Sequence, residues 1–311
     1  MIVNAAIVQA RPVYYNLDAS LERAQKLTSD AARHGAQLVA FGETWLPGYP
    51  AWLDVCPGAA LWDSSATKSL FAGLVANSPT VPGPVTAALA RLARELGIVL
   101  VMGLNERCGN TLYNSLLTFD NDGVLRNHHR KLRPTYTERL VWGPGDGAGL
   151  RAPQTALGRV GALVCWEHWM PLARQALHDA GEEIHVAAWP TVREMHQVAS
   201  RHYAFEGRCF VLAAGSLLRV CDLPPGLETL PELAPDDLLL RGGSAIFGPD
   251  GAALAGPCFE KETILHAQLD LRQIAQESMT LDVSGHYARP DVFDLSLNRR
   301  RPGASDGTDG D

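Results

Sequence analysis

The sequence has no run of about 18 apolar residues such as a membrane span requires, and MIVNAAIVQARP at its start has no basic segment ahead of a hydrophobic one. Neither a membrane anchor nor a secretory leader is expected, and the chain reads as cytoplasmic. Paired cysteines are also missing. Cys56, Cys108, Cys165, Cys209, Cys221 and Cys258 are scattered, with no C-x-x-C and no H-E-x-x-H, which argues against a disulfide framework and against a zinc site. Positive charge is scarce: 27 Lys and Arg stand against 34 Asp and Glu, a formal net charge of −7. The broad positive field of a nucleic-acid binder is therefore absent, and a small neutral partner is expected instead. Internal repeats of solenoid period and a clear interdomain linker are lacking too. With 311 residues and 46% apolar content, the chain suffices for one large α/β domain or two modest ones.

What is present alternates between two periodicities. IVNAAIVQA reads as a strand and LDASLERAQKLTSDAARHG as a helix, with Leu17, Leu21, Ala24, Leu27 and Ala31 at spacings of three and four, Asn16 as its cap and Gly35 just past its end. AQLVAFGE is the next strand. PVTAALARLARELG and IVLVMGLNE repeat the helix and strand, and RVGALVC, PLARQALHDAG and IHVAAWP give strand, helix, strand again. TLYNSLLTFDNDGVLRNHHRKL is two strands about an Asn-Asp-Gly turn. Strands alternating with helices predict an α/β domain, and the hairpin makes the sheet mixed rather than all parallel. We read residues 1–295 as one domain. The proline-rich, acidic stretch CDLPPGLETLPELAPDDLLLRGG, residues 221–243, is taken as a surface insertion, and residues 296–311 as a disordered tail.

Three strands end in residues that can do chemistry. Cys165 closes the apolar run Val160 to Val164, and Pro171 opens the helix that follows. A thiol at a strand-to-helix turn lies where α/β folds present nucleophiles, although a packed core cysteine is an equal reading of the position alone. Glu43 ends AQLVAFGE just before the turn LPGYP. A carboxylate there is either half exposed or desolvated, and desolvation raises its pKa toward that of a general base. Lys131 ends a third strand, where a lysine is normally solvent-facing, and Glu138 seven residues on is by default a surface partner of Arg139. Together the three strand ends supply a nucleophile, a base and a cation, which is the set that covalent thiol catalysis needs. His168 stands only three residues from Cys165 without a separate partner signature, which speaks against a Cys–His protease site.

The segments FGETWLPGYP, HRKLRPTYTERLVWGPGDG, VCWEHWMPLAR, HVAAWP and GHYARPDVF resemble the nitrilase branch of the carbon–nitrogen hydrolase family. That resemblance implies a four-layer α-β-β-α sandwich of mixed sheets covered by helices. It makes Glu43 the general base, Lys131 the cationic stabiliser, Cys165 the nucleophile and Glu138 a second glutamate near the site. The activity implied is hydrolysis of an organic nitrile to the carboxylic acid and ammonia through a thioimidate and a thioester, with no metal and no organic cofactor. An amidase of the same family, a cyanide-degrading enzyme, and a catalytically silent binding or scaffold protein are the alternatives. The backbone N–H of Trp166 is implied in binding the developing anion. Tyr49 and Trp189 are candidate pocket residues, and core packing explains buried aromatics equally well. His286 is a candidate for tying the C-terminal segment near the site. The resemblance also implies a homodimer that extends into larger, spiral homo-oligomers.

Overall fold

The first strand shows how this sequence makes layers. In a computed structural model that describes residues 1–302, Val3, Ala5 and Ile7 of β1 (Ile2–Gln9) face one apolar cluster, while Ala6 and Val8 face another. β2 (Leu38–Phe41) and β3 (Val99–Cys108) repeat the alternation, with Leu38, Ala40, Val99 and Val101 on the first side and Val39, Phe41, Leu100 and Met102 on the second. Period-2 strands that are apolar on both faces must be covered twice.

The remaining strands are β4 (Thr111–Phe119), β5 (Leu125–Arg130), β6 (Gln154–Thr155), β7 (Gly158–Val164), β8 (Ile184–Ala188), β9 (Phe210–Ala214), β10 (Leu217–Arg219), β11 (Leu238–Phe247), β12 (Ala253–Phe259) and β13 (Thr263–Asp270). The helices are α1 (Leu17–Arg33), α2 (Trp52–Val55), α3 (Ser65–Ala76), α4 (Pro84–Leu96), α5 (Pro171–Asp179), α6 (Glu194–Gly207) and α7 (Arg272–Glu277). One sheet runs β13-β1-β2-β3-β4-β5 and the other β10-β11-β9-β8-β7-β6, with β12 paired to β11. In each, a parallel centre (β1, β2, β3; β7, β8, β9) is flanked by antiparallel strands, so both sheets are mixed. Residues from the inner faces of both sheets share one cluster, whereas α1 and α4 pack on the outside of the first sheet and α5 and α6 on the outside of the second. This is the expected α-β-β-α sandwich.

Local signals act as the sequence predicts. The Asn16 side chain accepts from Ala19 N–H at 3.0 Å to cap α1. β4 and β5 form the hairpin, and Gly123 supplies the positive φ of 82° in its turn. The insertion differs in extent. Leu238 to Gly243, grouped with it by composition, form the first half of β11, because Leu238 and Leu240 find strand partners in Arg219 and Leu218 of β10. The irregular part is anchored: Leu223 and Leu227 join small apolar clusters with Ala51 and Tyr49, and Leu230 N–H donates to the Val55 carbonyl at 2.9 Å. Within 296–302, Arg299 donates to the Leu150 carbonyl and Arg301 to Asp146 and the His128 carbonyl. The rest of the tail, residues 303–311, lies outside the described residues. Among the described residues no helix is long and apolar enough to cross a membrane.

The two sheets are joined where the site lies. Glu43 N–H, just past β2, donates to the carbonyl of Trp189, just past β8, at 3.1 Å. Gly42 lets the two sheets come this close, since a Cβ there would collide with the Ser216 hydroxyl and crowd the Trp189 carbonyl.

Candidate active site

Cys165 leaves β7 at a φ of +52° and begins a 3-10 turn, Cys165–Trp169, that leads to Pro171 and α5. A left-handed conformation costs a non-glycine residue about 1–2 kcal/mol and persists only where the surroundings enforce it. Two further residues of this kind flank the same place: Thr44, directly after Glu43, at φ +43°, and Tyr136, at the start of the turn carrying Glu138, at φ +43°. The Cys165 turn is fixed by Glu167. Its carboxylate accepts Val164 N–H at 2.7 Å, Leu132 N–H at 2.7 Å and His129 Nε2–H at 2.8 Å, bolting the turn to the end of β5 beside Lys131. These donors hold the Glu167 carboxyl below its ordinary range, against the effect of its burial.

Lys131 is buried between two carboxylates. Its ammonium donates to Glu43 Oε1 at 2.8 Å and to Glu138 Oε2 at 2.7 Å. Glu138 is further satisfied by Thr135 N–H at 2.6 Å and by the Tyr49 hydroxyl at 3.0 Å. Glu43 Oε1 accepts a second bond from the Asn114 amide, whereas Glu43 Oε2 is buried with no partner. Cys165 Sγ and one oxygen each of Glu43 and Glu138 all lie within 4.8 Å of one another. The Trp142 ring forms a wall 5.9 Å from the ammonium, held by its N–H to Asn105 at 2.8 Å and met edge-on by Tyr49.

The electrostatics follow from two carboxylates sharing one ammonium out of water. Burial raises Glu43 to about 7, with the Lys131 charge pulling back and the Glu138 charge pushing further. Burial works against the charge on Lys131, but Cys165, Glu43 and Glu138 more than offset it and keep the ammonium protonated. Burial also holds the Cys165 thiol well above its ordinary value, reinforced by Glu43 and opposed by Lys131 and the Trp166 backbone N–H. At rest the site therefore contains a thiol beside a carboxylate with a free, desolvated oxygen. It needs proton transfer to make its nucleophile. Glu43, Glu138 and Cys165 also form a donor set by type and spacing. A divalent ion there would meet the buried ammonium already seated on the same two carboxylates, so the set suits thiol chemistry better than metal binding.

Of the residues singled out from sequence, Glu43, Lys131, Cys165, Glu138 and Tyr49 come together. The Trp166 backbone N–H acts to lower the thiol's pKa, while the residue is 54% exposed and its ring packs edge-on against Trp169. Trp189 is buried under α6, donating to Ser200 and packed against His168 and His196, so its indole belongs to the packing layer. His286 does not join the site: its side chain is 94% exposed and bonds Asp282 within its own turn. Sequence reasoning missed Asn114, which nothing in TLYNSLL marks, and the strut role of Glu167. For Glu167 the signal was present, since an acid between tryptophans next to the thiol is buried and must be bonded.

The model of the carbon–nitrogen hydrolase family matches residues 4–277. A bifunctional nitrilase/nitrile hydratase of Nicotiana tabacum is 42% identical over 298 residues, 94% of this chain and 85% of that protein. An aliphatic nitrilase of Sinorhizobium fredii (strain HH103) is 42% identical over 296 residues, 94% of this chain and 95% of the relative. Among solved structures, a Saccharomyces cerevisiae member of branch 10 of the nitrilase superfamily aligns with a TM-score of 0.72 over 93% of this chain and 97% of its own; at 19% identity this likeness concerns the fold.

Proposed function

The chain belongs to the nitrilase branch of the carbon–nitrogen hydrolase family and is an enzyme of that superfamily, and from that premise we propose that it hydrolyses an organic nitrile to the carboxylic acid and ammonia. The observation that carries this reading is the Glu43 carboxylate within 4.8 Å of the Cys165 thiol, one of its oxygens held by Lys131 and the other without a partner. A nitrile carbon is a weak electrophile, which favours a thiolate over a hydroxyl.

Glu43 takes the thiol proton as Sγ bonds to the nitrile carbon and passes that proton to the nitrogen, giving a thioimidate and an ionised Glu43 again. Water then adds, its proton passing to Glu43, and forms a tetrahedral species held by Lys131 and the Trp166 N–H. Collapse with protonation of the nitrogen breaks the carbon–nitrogen bond and releases ammonia, leaving a thioester. A second water, deprotonated by Glu43, cleaves the carbon–sulfur bond and returns the thiol. Two waters are consumed, and no redox change occurs. Glu138 holds Lys131 in place and, by its charge, keeps Glu43 basic.

The Nicotiana tabacum relative is named for both nitrilase and nitrile hydratase activity. In this chain the corresponding choice would fall at the tetrahedral species: expulsion of ammonia leads to the acid, and expulsion of the thiol leads to the amide. Ammonia and amide are to be measured across aliphatic, aryl and arylacetonitriles with matched amides as substrates. Ammonia from nitriles supports the reading, and turnover of amides alone replaces it with an amidase. The same reading includes a cytoplasmic location and a homodimer that extends to larger assemblies. Leu172, Met195, Val198 and Phe205, exposed along α5 and α6, support a self-association surface.

A further inference from the structure

Beneath the turn that carries Cys165 lies a buried row of titratable groups for which the mechanism above has no use. His168 Nδ1 is 2.6 Å from the Cys165 carbonyl oxygen, and its Nε2 is 3.0 Å from Nε2 of His185. His185 Nδ1 is 2.8 Å from Glu182 Oε2, while Glu182 Oε1 is met by His178 Nδ1 at 3.1 Å and by the Tyr203 hydroxyl. All five side chains are buried. The row reaches the surface at Glu206, which lies 3.5 Å from His178 and 2.7 Å from Arg174, with His202 at 3.8 Å. Arg174 also donates to the His168 carbonyl at 3.1 Å.

Counting donors fixes the protons. A carbonyl only accepts, so His168 carries a proton on Nδ1; a carboxylate only accepts, so His185 carries one on Nδ1. Were both rings neutral, two lone pairs would face each other at 3.0 Å across the Nε2 atoms. One further proton must lie between them, and the pair carries one positive charge. That charge resides on His185, which touches Glu182 directly, and burial beside this cation keeps His168 neutral. The Cys165 carbonyl therefore receives a hydrogen bond from an imidazole that is itself bonded to a buried cation. This carbonyl and the Trp166 N–H belong to the same peptide, and that N–H acts to lower the pKa of the Cys165 thiol against its burial.

We propose that His185 and His168 form a positioning relay that polarises the Cys165–Trp166 peptide, so that its N–H binds the thiolate and the developing anion more strongly than an unassisted peptide would. The physical basis is cooperativity along a hydrogen-bonded chain, in which a donor on an amide oxygen strengthens the amide's own N–H. The same bond holds the carbonyl of a residue kept at φ +52°. The inference rests on Cys165 being the nucleophile and adds that its anion-binding donor is tuned from behind.

The test uses His185→Gln, whose amide can still donate to His168 but carries no charge, and His168→Asn, which ends the relay one ring earlier. Alkylation of the Cys165 peptide by iodoacetamide, followed by mass spectrometry against pH, needs no knowledge of the natural substrate. The pH midpoint of alkylation is expected to rise by about one unit in either variant, with kcat down about tenfold and KM within about twofold. A folded His185→Gln enzyme whose alkylation midpoint and kcat match the wild type overturns the relay; if that variant does not fold, the same two readouts on His168→Asn decide. Turnover surviving in Cys165→Ala would instead remove the nucleophile itself, so the two failures are distinguishable.

Discussion

In Glu43→Gln the side chain keeps its shape and loses its charge. The wild-type cluster of Glu43, Lys131 and Glu138 holds two carboxylates against one ammonium, an excess negative charge buried between the sheets. Burial out of water raises Glu43 from 4.5 to about 7, with the Lys131 charge pulling back and the Glu138 charge adding to the rise. The sign of the linkage follows. Between these values the folded state still holds a proton that the unfolded chain has released, so stability falls as pH rises through the window, and above about 7 the full cost is present. At about 1.4 kcal/mol per unit the cost is roughly 3 kcal/mol. Neither the Cys165 thiol nor the Lys131 ammonium, both raised, changes charge in that range. The variant does not titrate at position 43 and escapes the cost, while its new amide hydrogens, placed where Oε2 was unpartnered, add an offset that does not depend on pH. Urea unfolding of both proteins at pH 5 and pH 8, at one chain concentration, should therefore show the stability difference moving in favour of Glu43→Gln by roughly 2–3 kcal/mol from the lower pH to the higher. Turnover should be lost at both. A difference that is the same at the two pH values, or that moves the other way, refutes burial of the Glu43 carboxylate as the source of its basicity.

Cys165→Ala should abolish turnover and keep the fold, because the methyl that remains fills most of a small site; an acyl or thioimidate mass adduct should appear in the wild type on the Cys165 peptide and nowhere else. Lys131→Gln should lower kcat/KM by more than about a hundredfold, and retention of over a tenth of the activity would leave less than about 1.4 kcal/mol for the ammonium and exclude it from the chemistry. Since Glu43 must be ionised to act, kcat/KM should rise with pH through about 7. Glu138→Gln, which removes a charge that raises Glu43, should move that limb to lower pH, and a limb that moves upward contradicts the assignment. Deleting residues 224–237 and measuring mass by light scattering tests the insertion as an assembly element: collapse to dimers supports it, and an unchanged large assembly removes it from the interface.

The layers were legible in the sequence because they rest on local periodicity. Alternation in β1, β2 and β3, the three-and-four spacing of α1 with its Asn16 cap, and the Asn-Asp-Gly hairpin each lie within a few residues, and burial acts on them one element at a time. The chemical identity of Glu43, Lys131 and Cys165 was likewise visible at strand ends, and motif resemblance gathered them with Glu138. Composition misjudged what depends on partners far along the chain. Leu238 to Gly243 looked like loop until β10 gave it hydrogen bonds, and Trp189 looked like a pocket wall although it packs beneath α6. His286 shares a matching motif but points into solvent. Only the tertiary structure placed one ammonium between two carboxylates, left Glu43 Oε2 without a partner, drove Cys165 to a positive φ and set a bonded histidine pair behind its carbonyl. The sequence determines which groups are available. Their protonation, and hence what they can do, depends on dehydration and on neighbours tens of residues away, which exist only once the two sheets have closed on each other.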